Sequence, residues 1–393
     1  MMHGFEFYTP TRVIFGAGSL EKLPEAVGRC GAKRVFVIYG GQSAKKSGTL
    51  DRVEALLTGA GIAFAAIGGV KPNPRLGLAR EAIREAIAFG ADLILAVGGG
   101  SVIDTAKATA HGTANPEADI WDIWMGKVKL EKSLPVGVVL TIPAAGSEMS
   151  DSAVLTDEAA LAKRGLNTDL NRPAFALMDP SLAATLPARQ AACGVTDIMM
   201  HTLERYVNPL ENDMTDEIAE ALLRVVIRHG EAVVKNPSNI DAMSEIMWAG
   251  SLSHNNLTGL GGKKDFSVHQ FGQAIGEKFD IYHGETLSAM WASYARYVAP
   301  TNFARFARYA RNVWGVEEAD DEKAAVAGID ATEAYFKRLG MPVRIAELSC
   351  GVQDEAGLYD LALRCSRNRG RTIGSFRVLD FEDMLNVYQM ANK

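Results

Sequence analysis

The chain lacks the features of several protein classes. It has only four cysteines in 393 residues and no CxxC pair, so the sequence suggests neither a zinc ribbon nor a disulfide framework. The net charge of −6 and the absence of long like-charge blocks make nucleic acid and anionic membranes unexpected partners. No window approaches about eighteen uninterrupted apolar residues, and the N-terminus shows no basic stretch followed by an apolar core. We therefore expect a cytoplasmic protein.

The length exceeds the size at which one hydrophobic core usually keeps growing, so we expect two domains. The first half alternates the β-branched runs RVFVIY, IAFAAIGG and DLILAVGGG with helices predicted at 49–60 and 75–89. This βαβαβ pattern predicts a parallel sheet with helices on both faces. A further strand, VGVVLTIP, follows a predicted loop around Trp121 and Trp124. From Pro187 onward the periodicity is helical. We predict an α/β domain over residues 1–184 and an α-helical domain over 185–393.

A candidate metal site begins with Asp197 and His201, which are four residues apart in the predicted helix GVTDIMMHTLE. Residues at this spacing share one helix face. His269 and His283 flank the downstream segment VHQFGQAIGEKFDIYH. One oxygen and three nitrogen donors suit ferrous iron or zinc, and such an ion would keep net positive charge and act as a Lewis acid.

The alternative is that Asp197 and His201 form an ordinary helix pair. The remaining four histidines are interpreted as surface or capped residues: His3, His111, His229 and His254.

A glycine-rich loop, Gly98, Gly99, Gly100 and Ser101, follows the strand DLILAV and precedes the predicted helix VIDTAKATAHG. The glycines allow close approach of a ligand, and the helix N-terminus offers free N–H groups to a phosphate. Alternatively, Ser101 caps the helix and Asp104 completes a capping box, and both roles can coexist. Lys107 either points to solvent or reaches the loop.

A second glycine pair, Gly40 and Gly41, ends the strand in FVIYGGQSAKKSG. Folds that prefer NAD usually place a carboxylate near such a strand end to bind the ribose 2′-hydroxyl. Here the next residues supply none, and Lys45 and Lys46 follow, which favours NADP over NAD. The alternative is a solvated turn with two surface lysines.

The segments GGGSVIDTAK, TIPAAGSE and DPSLAATLPARQAACGVTDIMMHTLE resemble the iron-containing, or group III, alcohol dehydrogenases. The similarity extends over nearly the whole chain and is greatest to the NADPH-dependent aldehyde reductase and butanol dehydrogenase branch. The resemblance implies a Rossmann-like N-terminal domain, an α-helical C-terminal domain and an active site in the cleft between them. This fold is shared with the dehydroquinate synthases. The resemblance also implies a homodimer, and pairing of the N-terminal strand RVIFG between two chains is the expected contact.

The resemblance assigns site residues by position. The metal ligands would be Asp197, His201, His269 and His283. The dinucleotide contacts would be Gly40, Gly41, Ser43, Asn73, Gly98, Gly99, Gly100, Ser101, Asp104, Thr141, Ser147 and Lys163. For Lys163 alone the alternative is a surface lysine. Fe²⁺ is the expected ion, although the same donors accept zinc or other divalent metals.

Two positions depart from the family pattern. Gln273 stands where many members have a histidine near the nicotinamide, and glutamine cannot titrate, so an imidazole proton relay there is in doubt. No side chain is therefore assigned as general base. Ala145 stands where members often have threonine, which removes one hydroxyl contact to the cofactor.

The predicted function is hydride transfer between NAD(P) and small primary alcohols or aldehydes whose oxygen is polarised by the metal. Phe266, Trp248 and Tyr282 are candidates for the substrate end, although ordinary core packing is the favoured interpretation of each. One alternative is a dehydroquinate synthase-like lyase, which needs basic residues to bind phosphate, and the ligand region supplies few. Those residues are Lys263, Lys264 and Lys278. The other alternative is a non-catalytic relative that binds dinucleotide and metal.

Overall fold

The computed structural model describes residues 3–393. The chain forms two compact units. The sheet unit comprises Tyr8–Leu186 and Pro237–Ser251, and the helical unit comprises residues 3–7, Pro187–Asn236 and Leu252–Lys393. The predicted domain boundary after residue 184 stays a prediction. The compact sheet unit ends at Leu186 and also includes the later segment 237–251.

The sheet unit is built on a six-stranded parallel sheet in the order β1-β8-β5-β4-β2-β3, with a separate antiparallel pair, β6-β7. The strands are β1 Arg12–Phe15, β2 Arg34–Tyr39, β3 Ala63–Ile67, β4 Leu93–Gly98, β5 Val136–Leu140, β6 Ser152–Asp157, β7 Ala162–Asn167 and β8 Phe175–Met178. All residues of β4 and β5 are buried, as expected for strands covered on both faces. The predicted parallel sheet is confirmed, whereas β6, β7 and β8 were not anticipated.

Six helices belong to the first part of the sheet unit: α1 Leu23–Arg29, α2 Ser43–Lys46, α3 Thr49–Gly59, α4 Leu76–Phe89, α5 Gly100–Ala114 and α6 Ile120–Trp124. α3 ends one residue earlier than predicted, and α4 begins one residue later than predicted. α4 ends at Phe89, and the following residue, Gly90, has a φ of 73°, the left-handed cap conformation that glycine adopts easily. The predicted loop around Trp121 and Trp124 is wrong, because these residues lie on α6, which the Asp119 carboxylate caps.

The later helices are α7 Ala188–Tyr206, α8 Asp213–Lys235, α9 Ile240–His254, α10 Ser267–Phe279, α11 His283–Val298, α12 Phe303–Trp314, α13 Asp321–Arg338, α14 Glu355–Cys365 and α15 Phe381–Ala391. Within the described part of the helical unit there is no strand, only an isolated bridge between Ile373 and Leu379. The predicted helical domain is confirmed. Among residues 3–393, no helix combines the length and apolar character needed to cross a bilayer.

Helix α7 is buried along nearly its whole length after Cys193, so it is a core helix of its unit. It packs against α8 and α11, and α10 packs against α11. The three helices α7, α10 and α11 carry all four predicted metal ligands.

Candidate metal centre and dinucleotide-binding loops

Three imidazoles of the helical unit surround one carboxylate oxygen. Asp197 Oδ1 lies 3.5 Å from His269 Nε2, 3.6 Å from His201 Nδ1 and 4.0 Å from His283 Nε2. Asp197 and His201 are supplied by α7, His269 by α10, and His283 is the first residue of α11. The structure therefore brings together the four residues that the sequence singled out.

Several of these donor atoms have no hydrogen-bond partner. Asp197 Oδ1, His201 Nδ1 and His269 Nε2 are all buried and unsatisfied. Buried polar atoms are rarely left in this condition, so three orphans facing one another indicate a missing group that accepts electron pairs. With metal–donor bonds of about 2.1 Å, the donors of a tetrahedral site lie roughly 3.4 Å apart. The observed separations are close to that value, so the residues fit a divalent ion.

The tightest group consists of Asp197, His269 and His283, whose ligand atoms all lie within 4.8 Å of one another in the described residues. His201 is outside this group, although it is near the same carboxylate oxygen. Asp197, His201 and His269 side chains are 7%, 5% and 12% exposed, whereas that of His283 is 32% exposed. Solvent therefore reaches the centre from the His283 side.

The pKa values of His201 and His269 are shifted in opposite directions. Burial lowers the pKa of His201 well below its usual value, and the nearby histidines add to this effect. For His269 burial also acts to lower the pKa, but Glu204 and Asp197 outweigh it and raise the pKa to about 9. A metal ion binds neutral imidazole, so in the metal-free protein it would have to displace a proton from His269.

A close approach of two helices sets the position of His283. A Cβ on Gly284 would lie 2.6 Å from both the Cα and the carbonyl oxygen of Cys193. Only glycine allows α11 to approach α7 this closely, one turn before Asp197. A Cβ on Gly272 would lie 2.7 Å from Thr286 Oγ1, so the packing of α10 on α11 is equally tight.

Three residues beside the ligands were missed or undervalued by the sequence reasoning. His254, interpreted as a surface or capped residue, lies against His201, with ring centroids 4.0 Å apart and ring planes tilted by 31°. Glu204 contacts the second ring nitrogen of His269. Phe266 precedes α10 with a φ of 55°, and its ring lies 5.0 Å from that of His269. Glu204 was detectable, since it is seven residues after Asp197 and therefore on the same helix face.

Most predicted dinucleotide contacts lie at one edge of the parallel sheet. The carboxyl ends of β2, β3, β4 and β5 and the segments that follow them carry Gly40, Gly41, Ser43, Asn73, Gly98, Gly99, Thr141 and Ser147. In the sheet, β3 lies next to β2 on one side, and β4 lies next to β2 on the other side, so the strand order reverses at β2. The ends of β2 and β4 thus form a topological switch point, where open α/β sheets bind their ligands.

The glycine loop after β4 is tightly enclosed. A Cβ on Gly99 would lie 2.8 Å from Ile142 Cβ, and one on Gly98 would lie 2.5 Å from Val102 Cγ2. The helix α5 begins at Gly100, so its first free N–H groups belong to this loop. The loop therefore has the form required to bind a phosphate through its backbone.

The capping-box alternative for Ser101 and Asp104 is wrong. The residue preceding α5 is Gly99, and no side chain caps the helix. Asp104 instead accepts hydrogen bonds from Ser147 Oγ at 2.6 Å and from the Val154 N–H at 2.9 Å. These contacts attach α5 to the loop after β5 and to β6, so Asp104 and Ser147 support this loop, and their contact with the dinucleotide stays a prediction.

Lys107 neither points to solvent nor reaches the glycine loop. Its ammonium is fully buried and donates to Ser147 Oγ at 2.8 Å and to the Ser152 carbonyl at 2.7 Å. Burial lowers the pKa of Lys107 to about 8, and Asp104 opposes this effect. The residue supports the same loop as Asp104.

Lys163 on β7 is not a surface lysine. It is 9% exposed, and its Nζ donates to Asn73 Oδ1 at 3.1 Å. Asn73 has a φ of 58°, a conformation that asparagine tolerates better than most residues. The structure thus joins these two predicted contacts from distant parts of the sequence.

The remaining candidates lie at separate places. Gln273 is half-buried on α10, one turn after His269. Tyr282 is 37% exposed and directly precedes His283. Trp248 belongs to the sheet unit, where it packs edge-on against Phe15.

Comparison with known proteins identifies the family. A family model described as iron-containing alcohol dehydrogenase matches residues 10–180, and one described as the C-terminal region of the Fe-containing alcohol dehydrogenase family matches residues 190–392. The chain belongs to the iron-containing alcohol dehydrogenase family. This membership confirms the predicted class of enzyme, a metal-dependent, NAD(P)-linked alcohol dehydrogenase or aldehyde reductase.

Relatives match this family member over most or nearly all of its length. It is 36% identical to NADH-dependent butanol dehydrogenase A of Clostridium acetobutylicum over 393 residues, 99% of this chain and 100% of the relative. It is 34% identical to the NADPH-dependent aldehyde reductase YqhD of Escherichia coli, over 88% of this chain and 89% of the relative. The crystal structure of NADH-dependent butanol dehydrogenase A from Thermotoga maritima superposes with a TM-score of 0.95 at 32% identity, covering 100% and 99% of the two chains.

These findings bear on the alternatives. Family membership favours the dehydrogenase over the lyase, and two of the three lysines near the ligands have protein partners. Lys278 pairs with Asp360 at 2.9 Å, and Lys264 donates to Asn256 at 2.5 Å. The relatives include both NADH- and NADPH-dependent enzymes, so family membership leaves the choice of dinucleotide open.

Proposed function

We propose that this chain is an NADPH-dependent reductase of small, mainly apolar aldehydes, and that Asp197, His201, His269 and His283 hold one divalent ion, Fe²⁺ first among the candidates. The observation that carries the proposal is the set of buried, unsatisfied donor atoms around Asp197 Oδ1. A divalent ion bound there would supply Lewis-acid polarisation of a carbonyl oxygen.

The sheet unit supplies the means to bind the dinucleotide. The N–H groups of the Gly98–Gly100 loop at the start of α5 are available to the pyrophosphate. Asn73 and Lys163, linked to each other, add a polar group and a positive charge at the same edge of the sheet. The protein's contribution to hydride transfer is then to orient the nicotinamide and the substrate carbon.

The helical unit supplies the aldehyde end. The exposed side of His283 gives access for a small substrate, and the ring of Phe266 provides an apolar contact beside His269. Gln273 can donate or accept a hydrogen bond but cannot transfer a proton by titrating. The proton that completes the alcohol therefore comes from solvent in this proposal.

The preference for NADPH rests on the turn after β2. Ser43, Lys45 and Lys46 are exposed, and residues 40–46 contain no carboxylate. Replacing Lys45 and Lys46 by alanine should raise the KM for NADPH and leave that for NADH nearly unchanged, because only NADPH carries the 2′-phosphate. Lys129→Ala, at a strongly exposed lysine, is the control for loss of surface charge. An equal effect of the double variant on both dinucleotides would contradict the proposal.

We also propose a homodimer formed through β1. This strand is at an edge of the sheet, and Phe15 at its end is 42% exposed. Arg12 donates its N–H to Ala174 of β8, so by alternation the N–H of Val13 points to the open edge. Val13→Pro should therefore give a monomer in sedimentation velocity, whereas a wild-type monomer would contradict the proposal.

The enzymatic proposal is tested by loading metal-free protein with Fe²⁺ or Zn²⁺ and following the absorbance of NADPH with butyraldehyde. We expect turnover only after metal is added, and more slowly with NADH than with NADPH. The absence of turnover with every short aldehyde and either metal would contradict the reductase proposal and favour a non-catalytic protein.

A further inference from the structure

Glu204 is a fully buried carboxylate next to the proposed metal ligands. It lies on α7 seven residues after Asp197 and three after His201, so all three side chains share one face of the helix. The residue is 1% exposed and its side chain is completely inaccessible. A buried carboxylate is costly unless its oxygens are satisfied, and those of Glu204 are satisfied by α10.

Both oxygens of Glu204 accept hydrogen bonds from the first turn of α10. Oε2 is bonded to Nδ1 of His269. Oε1 accepts from the backbone N–H of Val268 at 2.5 Å and from that of His269 at 3.3 Å. One side chain of α7 thus holds both the backbone and the ring of His269.

These contacts determine which nitrogen of His269 carries a proton. A carboxylate can only accept, so Nδ1 must be the protonated nitrogen that donates to Glu204. In the neutral ring Nε2 then has the free electron pair, and Nε2 is the atom that lies unsatisfied 3.5 Å from Asp197 Oδ1. Carboxylates that bind the second nitrogen of a histidine orient many metal ligands in this way.

We propose that Glu204 is a positioning residue for the metal centre, which fixes the tautomer and orientation of His269 and adds a second negative charge beside Asp197. The inference rests on the proposed metal site. With Asp197 it gives two carboxylates, which match the charge of one divalent ion in a buried setting. Glutamine at this position has one acceptor oxygen, so it cannot satisfy both the ring and the backbone N–H groups.

A purely structural role for Glu204 requires a separate control. Asp265 also holds the segment before α10, because it accepts from Tyr294 Oη at 2.6 Å and from the N–H groups of Ser375 and Phe376 at 2.8 and 2.9 Å. None of these partners is a ring of a proposed metal ligand. Asp265→Asn therefore loosens the same region without changing the tautomer of His269.

The test is the binding of Co²⁺ alone to metal-free wild type, Glu204→Gln and Asp265→Asn, followed by visible absorption. We expect Glu204→Gln to bind Co²⁺ about 10–100-fold more weakly and with an altered spectrum, as for other residues that support a ligand. Asp265→Asn should lower the unfolding temperature but keep the wild-type spectrum. Wild-type affinity and spectrum in Glu204→Gln, or an equal loss in Asp265→Asn, would overturn the inference.

A second measurement needs no variant of Glu204. In Zn²⁺-loaded wild type with ¹⁵N-labelled histidine, the nitrogen shifts of His269 should show Nδ1 protonated and Nε2 bound to the metal, with His269→Ala providing the assignment. Coordination through Nδ1 would overturn the role of Glu204 and leave the metal site intact. Failure of the wild type to bind either metal would instead overturn the proposed function, and this inference with it.

Discussion

The buried histidines of the two units have opposite surroundings. In the sheet unit, His111 is fully buried, and its ring nitrogens lie 2.8 Å from Ser133 Oγ and 2.8 Å from Asn171 Oδ1. In the helical unit, His201 and His269 each have a buried nitrogen with no partner. A histidine whose nitrogens are both satisfied by the protein is part of the scaffold, whereas clustered unsatisfied nitrogens indicate a site for a ligand.

The same contrast separates the predicted cofactor residues from the predicted metal ligands. Asp104, Ser147 and Lys107 satisfy one another and hold a loop in place. In our proposal the backbone N–H groups of the glycine loop bind the dinucleotide in that region, whereas in the metal centre the side chains themselves bind the ion. Substitutions should therefore act differently in the two regions.

The largest expected effect is that of His269→Ala. This variant removes a donor that the rest of the site cannot replace, so bound metal and aldehyde reduction should both fall by more than the roughly 10–100-fold typical of a supporting residue. The checks are metal content and the rate of NADPH oxidation. His229→Ala, on α8 outside the cluster, is the control. Retained activity in His269→Ala would remove this ligand assignment.

The next effect is that of Gly99→Ala on the glycine loop. The new Cβ would lie 2.8 Å from Ile142 Cβ, an overlap that costs about 1–3 kcal/mol or moves the loop. We expect the KM for NADPH to rise about tenfold, in line with roughly 1.4 kcal/mol of lost binding, while metal content stays unchanged. Gly28→Ala on α1, where nothing lies within 4 Å of the new atom, is the control. Loss of metal in Gly99→Ala would contradict the division of roles.

A smaller effect is expected for Gly284→Ala at the contact of α7 with α11. The added Cβ meets the backbone of Cys193 at 2.6 Å, so α11 must shift and carry His283 away from Asp197. We expect a loss of about 1–3 kcal/mol in the free energy of unfolding and weaker metal binding. In Gly276→Ala the nearest atom is the Ile281 carbonyl oxygen at 3.9 Å, so this variant should behave as wild type. Equal metal affinity in both variants would show that the contact does not position His283.

The smallest effect at neutral pH is that of His111→Gln, which instead changes the dependence of stability on pH. Burial lowers the pKa of His111 to about 4. The unfolded chain therefore binds more protons between pH 6.5 and 4, and the stabilisation present above pH 6.5 is lost as the pH falls through that range. The loss amounts to on the order of 3 kcal/mol. Urea unfolding at several pH values should show this slope in wild type and not in His111→Gln, and equal slopes would contradict it.

The sequence predicts the part of the fold that depends on regular patterns. The runs RVFVIY and DLILAV became β2 and β4, and the helices predicted at 49–60 and 75–89 became α3 and α4. The hairpin β6-β7 could not be predicted in this way, because AKRGLN has no β-branched residue and is held by its pairing with β6. Trp121 and Trp124 appeared to lie in a loop because α6 has only five residues.

The sequence likewise predicts only those parts of the candidate sites that depend on regular local patterns. The ligand pair Asp197 and His201 is visible as helix spacing, and the glycine loop as a strand followed by a helix. The ring contact of His254 with His201 joins residues from α9 and α7, and the link from Asn73 to Lys163 spans ninety positions. Such contacts depend on tertiary packing, which local periodicity does not encode. Among the residues that the sequence reasoning missed, only Glu204 had a local signal.

We expect Asp197, His201, His269 and His283 to bind one divalent ion. Calorimetric titration of metal-free protein with Zn²⁺ tests it most directly, with wild type and His269→Ala measured side by side. We expect one ion bound per chain in wild type and loss of this binding in the variant. Absence of binding in wild type, or the same affinity and stoichiometry in the variant, would contradict it.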